Sequence, residues 1–169
     1  MKPNVLEVKA HKENVKTGLS ANARAQVADR LTEALSDTVV LMLKSQVFHW
    51  NVVGPSFVGL HKLTEQHYQD LFAAADELAE RIRALGSLVP FSSKIMARSA
   101  SVGDGLAIRS TETMIEELIA DHEAVVRSMR ETAEEADKSG DIVTHDLLVR
   151  RMDFHEKAIW MLRAVTAKS

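Results

Sequence analysis

The amino-acid pattern predicts an all-α protein: four long helices packed as one bundle. Apolar residues recur every three or four positions through four segments. Glycine and proline concentrate between those segments. Ala, Leu, Glu, Arg and Lys, the strong helix formers, are abundant throughout. A length of 169 residues suits a single domain, and each segment makes a rod of about 40–45 Å at 1.5 Å per residue.

Residues 1–19 are polar and without periodicity, a partly mobile N-terminal tail ahead of a bundle that fills 20–169. The first helix runs from Ser20 to about Trp50, carrying Val27, Leu31, Leu35, Thr38 and Leu41 on its apolar face. Gly54 and Pro55 break the chain. The second helix spans Phe57 to Leu85, with no proline and one early glycine. Residues 86–110 hold Gly86, Pro90, Gly103 and Gly105, and the stretch SSKIMAR within them is read as a short extra helix. The third helix covers Thr111 to Ser139, with Thr113 and Glu116 at capping-box spacing, and Gly140 ends it. Asp141 to about Ala167 makes the fourth. The long link between helices two and three is sufficient for a crossover rather than a simple up-and-down connection.

Composition narrows the chemistry. Without cysteine there is no disulfide framework, thiolate metal site or cysteine nucleophile, which fits a reducing cytoplasm. The N-terminus lacks the apolar core of a signal peptide, and no run approaches a membrane span. A net charge of −3 gives the body no general attraction to nucleic acid. Seven histidines alongside abundant carboxylates make nitrogen and oxygen metal coordination the first chemistry to consider.

Helix two carries that chemistry in an unusual place. On a helical wheel Leu60, His67, Leu71, Ala75, Leu78, Ile82 and Leu85 form the core face. Gln66, Asp70, Ala73, Glu77 and Arg81 form a solvated one. A third stripe holds His61, Glu65, Tyr68, Phe72, Asp76, Ala79 and Glu80. Aromatics mixed with acids and a histidine away from the core suggest a partner surface, the plain alternative being an ordinary amphipathic edge. Asp76 and Glu80 are one turn apart and share a face, as do His61 and Glu65. The two pairs stand about 22 Å apart along the helix, whereas metal–ligand bonds are about 2.0–2.2 Å. One chain cannot close both pairs on one ion. Two copies of helix two crossing antiparallel near residue 70 would bring His61 of each to Asp76 and Glu80 of the other, giving two equivalent sites about a two-fold axis. An intrachain di-iron core is disfavoured, because none of the seven histidines is preceded at three residues by Glu.

The stretch FHWNVVGPSFVGLH, continuing through DELAERI, resembles the signature of the Dps family, ferritin-like proteins named for DNA binding in starved cells. HEKAIWMLRA near the C-terminus is similar to that family's last helix. The resemblance covers residues 20–167 and implies a ferritin-like four-helix bundle assembled as a hollow dodecamer. It implies a ferroxidase that oxidises Fe(II), preferentially with hydrogen peroxide, at two-iron sites between subunits, stores ferric mineral and protects against oxidative damage. By that resemblance the iron ligands are His49 and His61 of one subunit with Asp76 and Glu80 of its two-fold mate. Glu65 stands where many members carry Asp and bears on the second iron position. Trp50 matches a tryptophan taken as an electron donor beside the site; an aromatic helix-end anchor is the alternative. His49, at the end of helix one, is otherwise read as a solvated helix end. Imidazoles must be neutral to bind metal, so iron uptake should fall as pH drops through the ordinary histidine range.

Asp141 and Asp146 resemble the acids lining the family's three-fold pore, with Arg150 unfavourably placed beside them; a helix N-cap at Asp141 is the competing reading. DNA binding with weak ferroxidase activity, and hence nucleoid association, is the alternative function. The tail through residue 18 has Lys2, Lys9, Lys12 and Lys16 against Glu7 and Glu13, whereas twelve copies at −3 each carry about −36. His67 is read as a packed, hydrogen-bonded core histidine and Trp160 as core, and no ligand role is assigned to His122, His145 or His155.

Overall fold

The computed structural model describes residues 9–90, 92, 94, 100–103 and 109–167. Four helices account for most of them: α1 (Ala21–Asn51), α2 (Phe57–Ala84), α3 (Thr111–Lys138) and α4 (Ile142–Thr166). Most of the stretch read as a short extra helix lies outside the described residues. No described helix is long and apolar enough to cross a membrane.

Three of the four helices begin where a side chain satisfies a free N–H group, α2 being the exception. Ser20 accepts from the Ala23 amide at 3.1 Å, and Ser110 accepts from the Thr113 amide at 3.2 Å. The expected capping box at Thr113 therefore does not form. Ser110 takes the N-cap position three residues earlier, and the neighbouring Thr111 hydroxyl donates to the Val53 carbonyl at 2.9 Å, tying the start of α3 to the loop after α1. Gly86 and Gly140 follow α2 and α3 with φ of +88° and +77°, a left-handed geometry that favours glycine. A Cβ on Gly86 would lie 2.5 Å from the Glu13 carbonyl oxygen. The segment before α1 packs across that corner, its Glu13 amide donating to the Gly86 carbonyl and its carboxylate accepting from Arg83.

Ion pairs reveal the topology. Arg30 meets Glu135 and Lys44 meets Asp121, so α1 and α3 run antiparallel. Asp70 meets Arg151 and Arg81 meets Asp141, so α2 and α4 do too. The α1–α2 hairpin is antiparallel, which leaves α2 and α3 parallel. The link between them must cross the length of the bundle. Asp37, buried midway along α1, anchors that link by accepting from the Ser101 amide and hydroxyl and the Val102 amide. This is the crossover connection expected from the link's length, and the fold is ferritin-like.

The core is a continuous apolar layer including Leu31, Leu41, Leu60, Leu71, Leu78, Leu118, Met129, Leu148 and Leu162, each essentially inaccessible. On α2 the buried stripe contains Leu60, His67, Leu71, Leu78 and Ile82 as expected, but Leu63, Thr64 and Ala74 join it and Ala75 stays half-buried. Arg81 and Asp70 are not simply solvated: they reach across to α4 as interhelical ion pairs. Trp160 is 66% exposed and not core, because it lies on the outer side of α4.

Candidate metal centre

The turn between α1 and α2 brings His49 and His61 together. The rings stack with centroids 3.8 Å apart and planes inclined by 18°. His49 Nδ1 lies 2.7 Å from the His61 carbonyl oxygen, and His61 Nδ1 lies 2.9 Å from the His49 carbonyl oxygen. A carbonyl can only accept, so each Nδ1 carries the proton. In a neutral ring the lone pair then resides on Nε2, the tautomer a metal ligand needs. His49 is buried at 7% exposure and His61 is half-buried, so the solvated helix-end reading of His49 does not hold.

Aromatic neighbours fix the pair laterally. Tyr68 meets His49 edge-on at 5.4 Å, and Phe57 lies 5.1 Å from His61. The sequence placed Tyr68 on the right stripe but gave no sign of its contact with His49, which joins separate helices. Trp50, adjacent to the pair in sequence, is 64% exposed. Glu65, one turn along α2 from His61, is half-buried.

Asp76 and Glu80 are exposed further along α2. Among the described residues no three His, Asp or Glu side chains form a group able to hold a metal ion. The histidine end and the acid end remain separate within one chain. Between them Phe72 is 69% exposed, beside a cavity of about 420 Å³ lined by Met42, Gln46, Tyr68, Gln69 and Phe72. An apolar ring held in water at the middle of an acid-bearing stripe is the feature of an unpartnered interface.

Asp141 adopts the N-cap role. Its carboxylate accepts from the Thr144 amide at 3.0 Å, the Thr144 hydroxyl at 2.6 Å and Arg81 at 2.6 Å. Burial opposes its ionisation, but those hydrogen bonds and the guanidinium outweigh it and hold the carboxyl below the usual range. Within one chain both carboxylate oxygens of Asp141 are engaged and the residue is only 2% exposed. Asp146 is exposed and paired with Arg150.

A second histidine group escaped the sequence reading. His67, His122 and His155 are all buried, and His122 and His155 are hydrogen-bonded to each other. His67 is packed as expected, yet its Nδ1 has no partner, and burial lowers its pKa to about 4 against the opposing pull of Asp70.

The comparisons with known proteins agree with this architecture. A family profile described as a ferritin-like domain matches residues 28–169. A DNA protection during starvation protein (Dps) of Bacillus anthracis is 34% identical over 139 residues, 82% of this chain and 95% of that one. The chain belongs to the Dps family of ferritin-like proteins. This Dps chain is also 35% identical to a low temperature-induced protein of Nostoc, described as uncharacterized, over 89% of its own length and 85% of the relative's. It superposes on Dps from Thermosynechococcus elongatus with a TM-score of 0.85 at 34% identity, covering 88% of this chain and 95% of that one. A Dps protein of Vibrio cholerae, described as a member of a broad superfamily of ferritin-like diiron-carboxylate proteins, gives 0.85 at 27% identity, covering 95% of this chain and 100% of that one.

Proposed function

We propose that this Dps protein takes Fe(II) as its substrate, oxidises it at sites shared between two chains, and stores the ferric product inside a closed homo-oligomer, a dodecamer. The observation that carries the reading is the His49–His61 pair, both Nδ1 atoms held by backbone carbonyls and both lone pairs left on Nε2. Two chains paired antiparallel through α2 would seat Phe72 of each in the shallow cavity beside Tyr68 of the other. The acids Asp76 and Glu80 of one chain would then face the histidines of its mate, with Glu65 beside them for a second iron. Imidazole and carboxylate are the ligand types that accept Fe(II) and hold Fe(III).

Hydrogen peroxide is the proposed oxidant. Two Fe(II) ions give one electron each, and one peroxide with two protons leaves as two waters, so no hydroxyl radical need be released. The protein's part is to hold two irons together so that both electrons pass in one event. Trp50, exposed and next to His49 in the chain, would give up an electron when only one iron is bound. Asp141 and Asp146 are the candidate acids for drawing iron inward where several chains meet. The proposed setting is the cytoplasm, where protection from iron and peroxide is the benefit.

Stopped-flow absorbance of Fe(II) mixed with peroxide tests this reading, comparing wild type with Asp76→Ala. The exposed aspartate is not part of the core, so the variant should stay folded and assembled while its oxidation rate falls roughly tenfold or more. Equal rates would refute a ligand role for Asp76.

DNA protection is the second reading. Lys9, Lys12 and Lys16 are exposed on the segment before α1, and several relatives are named for protecting DNA. Such binding would be sequence-independent and strongly weakened by salt. A gel shift in low salt should lose the retarded band when residues 1–18 are removed; an unchanged band would place the contact elsewhere.

A further inference from the structure

Midway along the bundle, one imidazole from each helix of the second hairpin faces the other. His122 of α3 and His155 of α4 are fully enclosed, their Nδ1 atoms 2.8 Å apart and their ring centroids 5.0 Å apart. Two Nδ1 atoms at that distance require one proton between them, one ring donating and the other accepting. Two protons would oppose N–H to N–H, and none would oppose lone pair to lone pair. Proton counting then settles the outer nitrogens. The accepting ring carries its proton on Nε2, and the donating ring carries a lone pair there. Both Nε2 atoms are buried without a hydrogen-bond partner in the protein. The 2.8 Å separation is that of a hydrogen bond, so a shared proton joins the pair.

The surroundings offer no counter-ion for a second proton. From α2, His67 meets His122 edge-on with centroids 5.4 Å apart, and Asp70 is bound to Arg151 at 2.7 Å. From α4, Arg151 lies 4.7 Å over the Phe154 ring, and Phe154 packs against His155 and His122. On α3 the flanking acids are taken: Asp121 by Lys44 of α1 at 2.5 Å, and Glu123 by Arg163 of α4 at 2.5 Å. A proton added here would sit in an enclosed site near a guanidinium, with Asp70, Asp121 and Glu123 already engaged, Glu156 paired with Arg130 and Asp153 exposed to solvent. Burial, reinforced by Arg151 and His67, pushes His155 down to about 3. Burial and then His155, His67 and Arg151 push His122 well below its ordinary range.

We propose that the His122–His155 pair is an acid-sensitive latch: the one-proton bond ties α3 to α4 while both rings are neutral, and a second proton breaks it and loosens the hairpin where it packs on α2. In the unfolded chain both imidazoles gain protons below about pH 6.5, whereas the folded pair refuses them until far lower pH. The unfolded state therefore binds more protons in that window. The latch's contribution to stability is complete above about pH 6.5 and is lost progressively as pH falls toward 3.

Urea unfolding of the full chain from pH 8 to pH 4, at one protein concentration, tests this against the double variant His122→Leu with His155→Leu. Removing both polar partners together leaves no orphan of this pair. Each of the two protons contributes up to about a tenfold loss in the folding equilibrium per pH unit below 6.5. The wild type should therefore fall more steeply with acid than the variant, by up to about a hundredfold per unit. Parallel curves would overturn the latch. Should the variant fail to fold, deuterium exchange at the histidine C2–H positions of folded wild type, read by mass spectrometry, decides the matter. No inflection at His122 or His155 between pH 8 and 5 is expected, and an inflection near 6.5 at either would overturn the proposal.

Discussion

Two histidine pairs in this bundle are wired in opposite ways. At the α1–α2 turn, His49 and His61 stack face to face, and each gives its Nδ1 proton to the other's backbone carbonyl. At the bundle centre, His122 and His155 use Nδ1 on each other and leave both Nε2 atoms enclosed without a partner. A backbone acceptor fixes the tautomer and leaves the ring's other nitrogen free for a ligand. Where two rings share one Nδ1 proton instead, one Nε2 must carry a proton, and burial shuts both Nε2 atoms away from any ligand. The same residue is thus left with an open Nε2 fit for a proposed metal ligand in one place and is locked into a buried interhelical joint in the other. The open pair meets its needs through main-chain atoms; the closed pair carries unsatisfied nitrogens at a cost of about 1–3 kcal/mol each.

The contrast can be broken most sharply at the closed pair. His155→Ala removes a fully buried ring and strands His122 Nδ1, so a loss of about 3–5 kcal/mol is expected in urea unfolding at pH 8. A loss below about 1 kcal/mol would mean the pair is not a joint at all. At the open pair the balance reverses. His49→Ala combined with His61→Ala should slow Fe(II) oxidation by roughly tenfold to a hundredfold, with a smaller stability change than His155→Ala. Should oxidation survive, the Nε2 lone pairs are not ligands. The finest distinction comes from Tyr68→Phe, which keeps the ring against His49 and deletes only the hydroxyl. Oxidation within about twofold of wild type and a stability change under about 0.5 kcal/mol are expected. A larger effect would assign part of the open pair's geometry to the Tyr68 hydroxyl instead of the two carbonyls alone.

Much of the fold was legible because helix periodicity is local. The limits of all four helices fell within one or two residues of those expected, and Gly140 closed α3 as read. The cap of α3 was misread because Thr113 and Glu116 satisfy the spacing rule, while Ser110 was nearer the actual start and Thr111 was drawn to Val53 in another loop. Asp141 looked equally suited to a pore and to a cap. The cap does form, and a guanidinium sixty residues earlier reaches the same carboxylate, a contact no local pattern announces. At the candidate site, the separation of His61 from Asp76 and Glu80 could be computed from helix rise alone. The reciprocal bonds between His49 and His61 could not, because they depend on how the turn superimposes two helix ends.

What the sequence determined by itself was whatever repeats along one rod: four helices, their apolar faces, and a stripe on α2 whose histidine and acids are too far apart to serve one ion. What only the tertiary structure decided was which nitrogen of each histidine is occupied. That depends on neighbours brought in from other helices. The His122–His155 pair joins residues 33 positions apart, and neither helix's own pattern contains the other's ring. A histidine's chemistry is set by the partner on its far nitrogen, and that partner is a property of packing.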